Sequence, residues 1–241
     1  MMNIKFYLGC SGFYYNHWRN IFYPEDYSKR KWLEYYAQHF NTVEINSTFY
    51  RFPKDSTLKG WTNRTPEGFI FSLKMNKLVT HKKRFNDTLE IIDKFYKSAS
   101  LLEEKLGCIL FQLPPSFHFD MEKLNNIIEQ VNPEFKNVIE FRHKSWWNGE
   151  VYDKLKENNI AFCSVSAPKL PNDLIITSKI TYIRFHGKNN WFRYNYSDKE
   201  LEEWSHKIKK IVNRINQIYI YFNNDFEGHA IKNCNYLKKI L

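Results

Sequence analysis

The amino-acid sequence predicts an α/β protein, a single-domain (β/α)8 TIM-type barrel that spans residues 1–241. Eight strand-like runs alternate with helix-like runs, which is typical of a parallel sheet with crossover helices. The length of 241 residues suits one such barrel, and 43% hydrophobic residues can fill one large core. No internal repeat or low-complexity linker indicates a second domain.

The predicted strands are short runs rich in β-branched and aromatic residues. In chain order they are "IKFYLG", "TVEIN", "FIFSLKM", "CILFQL", "NVIEF", "AFCSV", "ITYIRFHG" and "IYIYFNND". Most crossovers between them show helical spacing of apolar residues. The clearest stripes are Ile91, Ile92, Phe95, Ala99, Leu102 and Leu106, and then Leu201, Trp204, Ile208, Ile211 and Ile215.

Local signals set several boundaries. Ser197 with Glu200 three residues on predicts a capping box, and Asp120 precedes another apolar stripe as a predicted N-cap. We expect the last helix to follow Gly228 and run to the C-terminus. The sixth crossover, "SAPKLPNDLIITSK", contains Pro168 and Pro171 and has no helical stripe, so we expect it to be irregular.

The formal net charge of +10 favours anionic partners, whether nucleic acid, phosphorylated metabolites or acidic surfaces. The lysines are spread along the predicted helices, however, and no compact basic block stands out. A codon bias toward Asn, Ile and Lys would explain the same charge. Charge alone therefore does not choose a partner.

The four cysteines, Cys10, Cys108, Cys163 and Cys234, are scattered and form no C-x-x-C pair. We therefore expect reduced, mostly buried thiols, no cofactor and no metal. A nucleophilic Cys10 is a minor alternative that lacks an adjacent base in sequence. Since no run of about 18 apolar residues and no signal-like N-terminus is present, we expect a cytoplasmic protein with no membrane partner. The sequence specifies no oligomeric state.

The seventh predicted strand raises a question, because Arg184 and His186 share one face with Tyr182. Barrel strands send alternate side chains inward and the others against the helices. With the more apolar set facing the helices, the inward set is Glu44, Asn46, Ser72, Lys74, Gln112, Glu140, Arg142, Arg184, His186, Tyr219, Tyr221 and Asn223. Most of these residues lie toward the carboxyl ends of their strands, where barrel enzymes hold their sites. The sequence thus predicts a polar mouth at that end.

Charges in such a mouth need partners. Two carboxylates, Glu44 and Glu140, would face three cations, Lys74, Arg142 and Arg184. The surplus positive charge predicts a site for a small anionic ligand, since arginine suits phosphate and carboxylate groups. The alternative is an internal ion-pair network that only fixes the register of the barrel.

Seven ordered motifs carry a family resemblance: "LGCSGFYYNHW", "NTVEINSTFYRFP", "TPEGFIFSLK", "LGCILFQLPPSF", "IEFRHKSWW", "YIRFHG" and "YIYFNND". Together they resemble, nearly end to end, the YecE-like family, a domain of unknown function. The resemblance implies a (β/α)8 barrel but no chemistry. Its signature positions here are Ser11, Gly12, Trp18, Glu44, Asn46, Tyr50, Lys74, His81, Gln112, Pro114, Pro115, Glu140, Arg142, Trp146, Arg184, His186, Gly187, Asn223, Asn224 and Asp225. Ala167 stands where the family pattern leads us to expect an acidic residue, which weakens any mechanism that needs a sixth-strand carboxylate.

We favour an enzyme that performs acid/base chemistry on the anionic ligand. Glu44 or Glu140 would be the base, His186 the acid, and Arg142 with Arg184 the anion clamp. A retaining glycosidase is disfavoured, because the fourth and seventh strands end without carboxylates.

Two alternatives use the same residues. Lys74 could lose its charge and form an imine, although an ion pair with Glu44 is the simpler expectation. A divalent-metal set of Glu44, Glu140, His186 and Asp225 would have to compete with the neighbouring cations. The candidate catalytic residues are Glu44, Glu140, His186 and Lys74.

The loops after the strands are rich in aromatic residues, which suit stacking on sugars or unpaired bases, or packing as a lid. These rings are Phe13, Tyr14, Tyr15, Trp18, Phe49, Tyr50, Trp146, Trp147, Trp191, Phe192 and Tyr194. A nucleic-acid binder or processor is therefore the second functional class, and steep salt dependence would distinguish it. The candidate ligand-binding residues are Ser11, Trp18, Asn46, Tyr50, Gln112, Arg142, Trp146, Arg184, Trp191, Asn223 and Asp225.

Overall fold

Eight parallel strands form the centre of the molecule. The computed structural model describes residues 4–241. The strands are β1 (Lys5–Cys10), β2 (Thr42–Ile45), β3 (Ile70–Lys74), β4 (Leu106–Gln112), β5 (Lys136–Glu140), β6 (Ala161–Ser166), β7 (Ile180–Phe185) and β8 (Gln217–Phe222). Hydrogen-bonded neighbours follow the order β1-β8-β7-β6-β5-β4-β3-β2. This nearly closed (β/α)8 TIM-type barrel confirms the predicted fold class.

Helices lie between the strands. They are α1 (Trp32–His39), α2 (Asp55–Asn63), α3 (Leu89–Ala99), α4 (Met121–Gln130), α5 (Gly149–Glu157), α6 (Asp198–Lys209) and α7 (His229–Ile240). Ser197 and Glu200 form the predicted capping box of α6, and Asp120 caps α4 as predicted. In the described part of the chain, no helix is long and apolar enough to span a membrane.

Two predicted helical stripes extend beyond their helices. α3 ends at Ala99, a 3-10 segment follows, and Leu106 already starts β4. The chain turns inside that segment, where Glu103 has a φ of 51°. Ile211 and Ile215 likewise lie beyond the end of α6, although both are buried. Apolar spacing therefore marked residues that are buried or, for Ile91 and Leu106, partly buried, but it did not mark where each helix ends.

Side chains close the seam between β1 and β2, where a single bridge joins Ser11 to Glu44 in place of a ladder. The Asn41 amide makes two hydrogen bonds to the β1 backbone, of 2.7 and 3.1 Å. The Tyr36 hydroxyl accepts from the β1 backbone at 2.7 Å and donates to the β2 backbone at 3.1 Å. Gly9 permits this close approach, since a Cβ there would lie 2.1 Å from a β2 carbonyl oxygen.

The strand side chains divide into two apolar layers with the predicted phase. The layer against the helices contains Val43, Phe71, Ile139 and Ile183. The layer inside the barrel contains Leu110, Cys163, Tyr182 and Tyr221. Because the phase is as predicted, the polar residues that share the inward face lie at the carboxyl end of the barrel interior.

The connection from β6 to β7 contains no helix in the described chain, as predicted. The Thr177 hydroxyl accepts from the Phe162 N–H at 2.8 Å and donates to the Ile160 carbonyl at 2.6 Å. The Ser164 hydroxyl accepts from the Ile175 N–H at 2.9 Å. These bonds hold the segment beside β6 in the place of a crossover helix.

Candidate functional site

Polar side chains converge at the carboxyl ends of the strands, an opening that we call the mouth. In order of strand they are Ser11, Glu44 with Asn46, Lys74, Gln112, Glu140 with Arg142, Arg184 with His186, and Asn223. β6 contributes Ala167 instead. The mouth divides into a buried tier and residues that reach solvent: Glu44, Glu140, Arg184 and His186 are at most 1% exposed, whereas Lys74 and Arg142 are partly exposed.

Arg184 is the centre of the buried tier. Its Nη2 donates to Glu44 Oε1 at 2.6 Å, and its Nη1 donates to Glu140 Oε2 at 2.5 Å. The Tyr182 hydroxyl donates to the other Glu44 oxygen at 2.6 Å. One guanidinium from β7 therefore joins carboxylates from β2 and β5 across the barrel, a geometry that suits the planar fork of arginine. The two carboxylates together raise the pKa of Arg184 against the opposing effect of burial.

Glu140 is surrounded by cations and donors. Arg142 Nε donates to its Oε1, Arg184 binds its Oε2, and His186 Nε2 lies 3.2 Å from Oε1. Burial acts to raise the pKa of this carboxyl, but Arg142, Arg184 and His186 outweigh it and hold the pKa well below its usual range. Such a carboxylate is a weak base, and its main effect is to position both arginines.

His186 is enclosed and neutral. Burial, followed by the charge of Arg142, lowers the pKa of its imidazole well below the ordinary value. Arg142 Nη2 lies 3.1 Å from Nε2, and Asn223 Nδ2 lies 3.0 Å from Nδ1. A neutral imidazole is not the protonated acid expected from the sequence, and this ring instead fills and orders the buried tier.

Lys74 differs from the other charged residues of the mouth. Among the described residues no carboxylate oxygen lies within 4.0 Å of its amine, so the expected ion pair with Glu44 does not form. The fork of Arg184 and the Tyr182 hydroxyl already occupy Glu44. The Lys74 amine instead lies 4.2 Å from the centre of the Phe49 ring. Burial, followed by the charge of Arg184, lowers the pKa of Lys74 to about 7.

The loop beneath the Lys74 amine is held to β3 by hydrogen bonds. The Thr48 hydroxyl donates to the Lys74 carbonyl at 2.7 Å, and the Asn76 amide donates to the Thr48 carbonyl at 3.1 Å. A π-helical turn at Leu78–Lys83 follows and carries His81, whose ring lies 4.9 Å from that of Phe49. Burial, then the charge of Lys74, lowers the pKa of His81 to about 4. π-Helical turns are frequent at functional sites.

A cleft of about 440 Å³ opens beside Arg142 on the rim of the mouth, and we call it the cationic cleft. It is lined by Pro115, Arg142, His143, Lys144, Pro168, Lys169, Leu170 and Trp191. This lining has three cations and no carboxylate. The Arg142 guanidinium lies 4.5 Å from the Trp191 ring centre, so one side of the cleft pairs a cation with an aromatic face.

Three polar atoms of the mouth are buried without a hydrogen-bond partner in the described chain. They are Ser11 Oγ, Asn46 Oδ1 and Arg184 Nε. Ser11 itself is 1% exposed. Buried polar atoms are usually paired, so this group indicates places that a ligand or water would complete.

Several other candidate residues lie outside the mouth. Trp18 and Trp146 are fully buried: the Trp18 N–H donates to the Asp225 carbonyl at 2.9 Å, and Trp146 stacks on Phe141 with ring centroids 4.0 Å apart. These two indoles pack the bases of loops instead of offering the predicted ligand contacts, because protein atoms cover both rings. Tyr50 is 65% exposed on the rim.

Gln112 is buried, and its amide donates to the Leu113 carbonyl at 2.8 Å. Cys10 is also buried, which raises the pKa of its thiol well above the ordinary value. A protonated, enclosed thiol does not act as a nucleophile. Neither residue is therefore open to a ligand in the mouth.

The four residues of the metal alternative do not assemble into a ligand set. Across residues 4–241 no group of three or more His, Cys, Asp and Glu side chains is arranged to hold a metal ion. Asp225 lies 3.3 Å from His17 on the rim, and Arg184 separates Glu44 from Glu140. The Arg184 guanidinium occupies the space between the two carboxylates, where a metal ion would have to bind.

The sequence and the fold of this chain match known proteins. A family model described as "Protein of unknown function DUF72" matches residues 7–241. The chain belongs to the DUF72 family. The YecE-like resemblance predicted from the motifs is thereby confirmed, and the family name assigns no activity.

Relatives in the family match either nearly the whole chain or about half of it. The UPF0759 protein YunF of Bacillus subtilis is 26% identical over 98% of this chain and 94% of its own length. The UPF0759 protein YecE of Escherichia coli is 29% identical over 48% of this chain and 43% of its length. A solved DUF72 protein of Thermotoga maritima superposes with a TM-score of 0.90 at 30% identity, covering 98% of both chains. A DUF72 protein of Enterococcus faecalis, at 23% identity and a TM-score of 0.86, shares the fold.

Sequence reasoning did not select several residues that shape this site. Tyr182 was recognised as sharing a face with Arg184, but not as a donor to Glu44. Phe49 was assigned to the aromatic loops and not to the Lys74 amine. Lys144 begins a short 3-10 turn and Lys169 lies in the irregular sixth connection, and neither segment is long enough to show a period that predicts which way a side chain faces.

Proposed function

We propose that this protein is an enzyme that performs acid/base chemistry on a small anionic ligand at the mouth of the barrel. One observation carries the proposal: Lys74 is partly exposed in a cationic mouth, and its amine has no carboxylate partner among the described residues. With a pKa of about 7, this amine exists in both protonation states at neutral pH. Proton transfer is most effective from such a group.

The buried tier supports that amine. Arg184 and Arg142 disfavour a charged Lys74, while Glu44 and Glu140 hold the arginines in place. Lys74 therefore takes the acid/base role, and the two carboxylates and His186 are positioning residues. Arg142 connects both parts of the site, since it binds Glu140 and also lines the cationic cleft.

The cationic cleft supports a small anion as the ligand. Its volume of about 440 Å³ lies in the range of small-molecule pockets. Lys144 and Lys169 are exposed on its wall and supply charge without competing acids. A phosphate or carboxylate would pair with these cations and with the outer edge of Arg142.

Calorimetry and thermal shift with inorganic phosphate, pyruvate and dihydroxyacetone phosphate test the anion site. A ligand at a hundred times its Kd should add about 2.7 kcal/mol of stability. We expect saturable binding of at least one probe and its loss in the Lys144→Met, Lys169→Met double variant. The Lys94→Met, Lys97→Met variant on α3 removes the same charge far from the mouth and should bind normally. Equal binding by both variants, or none by the parent protein, would refute the site.

Exposed rings give a second candidate, a protein that binds unpaired nucleic acid. Tyr14, Tyr50 and Phe192 are 58%, 65% and 43% exposed on loops of the mouth, where bases could stack. A single-stranded oligonucleotide whose affinity falls steeply with added salt would favour this candidate over the enzyme. A probe bound with weak salt dependence in the cationic cleft would favour the enzyme.

A further inference from the structure

We propose that Lys74 forms a covalent imine with the carbonyl carbon of its ligand, which makes the ligand an aldehyde, ketone or 2-oxo acid that also bears a carboxylate or phosphate. This inference rests on the proposed function and narrows its substrate class. It adds a bond-forming role to an amine so far assigned only proton transfer.

The surroundings of the Lys74 amine suit a nucleophile. One side faces the Phe49 ring at 4.2 Å, and in the described chain no carboxylate within 4.0 Å holds the amine as an ammonium ion. Arg184 and Arg142 oppose its protonation, and its lowered pKa of about 7 leaves a large fraction as free amine.

Lys105 provides an internal contrast. It is buried, at 7% exposure, and its amine donates to the Thr65 carbonyl at 2.7 Å and to the Thr62 carbonyl at 2.8 Å. A third bond, to the Thr65 hydroxyl at 3.2 Å, occupies its remaining donor, so Lys105 has a structural role. Of Lys74 and Lys105, only Lys74 has an amine available for reaction.

Two unpartnered polar atoms belong to residues at the carboxyl ends of β1 and β2, on the same side of the mouth as Lys74. Ile45 pairs with Leu73 in the β2–β3 ladder, so Asn46 is next to Lys74 across the strands. Asn46 Oδ1 and Ser11 Oγ are buried without partners. They can hydrogen-bond the hydroxyl of the tetrahedral adduct that forms before the imine.

The step balances without an oxidant or a metal. The Lys74 lone pair forms a C–N bond to the carbonyl carbon, and the carbonyl π pair moves to oxygen, which takes up a proton while the nitrogen loses one. The resulting carbinolamine loses its hydroxyl as water as the nitrogen lone pair forms the C=N bond, and the proton that completes this water is the one that the Lys74 ammonium released when it became the free amine. One carbonyl compound and the protonated lysine therefore give one protonated imine and one water.

The arginines explain why the carbonyl compound would be an anion. Arg142 reaches from the buried tier into the cationic cleft, where Lys144 and Lys169 add charge. Lys74 does not line this cleft, so the ligand's carboxylate or phosphate would bind Arg142, whose charge acts on Lys74, and its carbonyl group would extend from there to the amine. An uncharged ketone lacks that anchor.

Reductive trapping tests the imine directly. The parent protein at about pH 7 would be incubated with sodium cyanoborohydride and either pyruvate or dihydroxyacetone phosphate, with acetone as the uncharged control. We expect one secondary-amine adduct per chain, mapped by peptide mass spectrometry to Lys74. Labelling there should exceed that at Lys105 or any exposed lysine by about tenfold or more, because ordinary lysines near pH 7 are almost entirely protonated. Lys74→Arg keeps a cation and should lose the adduct.

The outcomes separate the two proposals. An adduct confined to Lys74 supports the imine. Binding of pyruvate or dihydroxyacetone phosphate without an adduct, or with labels spread over many lysines, overturns the imine and leaves the proposed function standing. Neither binding nor an adduct with any probe overturns both.

Discussion

The charged residues on two sides of the mouth differ in whether they are paired with an opposite charge. On the β5 and β7 side, Glu140 binds both Arg142 and Arg184, and Arg184 also reaches Glu44 on β2. On the β3 side, Lys74 has an aromatic ring at 4.2 Å and no carboxylate within 4.0 Å among the described residues. A paired charge fixes structure, whereas an unpaired one remains available to a ligand. Because both sides face one opening, the arginines of the paired side can lower the pKa of Lys74 on the other side.

The largest expected effect comes from breaking the paired side. Arg184→Met would leave Glu44 and Glu140 buried without their shared cation. Removing one partner of a buried ion pair costs about 3–5 kcal/mol, so the free energy of unfolding in urea should fall by that amount. Arg214→Met, an exposed position, should change it by no more than about 0.5 kcal/mol. A similar small loss in both variants would contradict the structural role of the pair.

Tyr182 offers a smaller perturbation of the same side. Its hydroxyl donates to Glu44 at 2.6 Å, and hydrogen bonds to charged groups contribute about 1.5–3 kcal/mol. Tyr182→Phe should reduce the free energy of unfolding by about that amount while keeping the ring in place. Tyr152→Phe is the matched control, since its hydroxyl has no protein hydrogen bond in the described chain and no loss is expected.

The barrel was predictable because its signals are local. Eight strands could be found from short apolar runs, and the alternation within "ITYIRFHG" was enough to place Arg184 inside. The proline pair in the sixth crossover similarly predicted a connection without a helix. Each of these signals depends on neighbours a few residues apart, which the sequence shows directly.

The pairing of the charged residues could not be predicted, because it depends on contacts between residues far apart in sequence. Glu44 is close in sequence to Lys74, on the neighbouring strand, yet it binds Arg184, 140 residues away. Only the curvature of the closed barrel brings β7 near enough to reach β2 and β5 with one guanidinium. Likewise the burial of Trp18 and Trp146 depends on how the loops fold over one another, and composition does not encode that.

Replacing Lys74, on the unpaired side, should raise the free energy of unfolding, whereas the substitutions on the paired side lower it. Lys74→Met replaces a desolvated amine with an apolar side chain of similar length, so we expect the free energy of unfolding at pH 7 to rise by about 1 kcal/mol. The same variant should abolish reductive trapping at that position. If Lys74→Met lowered the free energy of unfolding, Lys74 would be a cation that stabilises the fold.

The pH dependence of that gain follows from the pKa. Lys74 titrates at about 7 in the folded protein and at about 10.4 when unfolded, so between these values the unfolded chain binds more protons. The contribution of Lys74 to stability is therefore largest above pH 10.4 and is lost as the pH falls toward 7. The gain in unfolding free energy from Lys74→Met should therefore shrink as the pH rises above 7 and should change sign before pH 9. A constant difference would mean that the amine titrates normally.

The smallest expected effect concerns a contact between the paired side of the mouth and the cationic cleft. Arg142 belongs to the paired side through Glu140, but its outer face lies 4.5 Å from the Trp191 ring centre in the cationic cleft. A cation–π contact of this kind is worth about 0.5–1 kcal/mol. A double-mutant cycle of Trp191→Leu and Arg142→Met, followed by urea unfolding, should give a coupling energy of that size. The same cycle with Arg214→Met should give none. If the stability effects of the two substitutions were additive, the Trp191 ring would not help to hold Arg142, and Glu140 alone would position it.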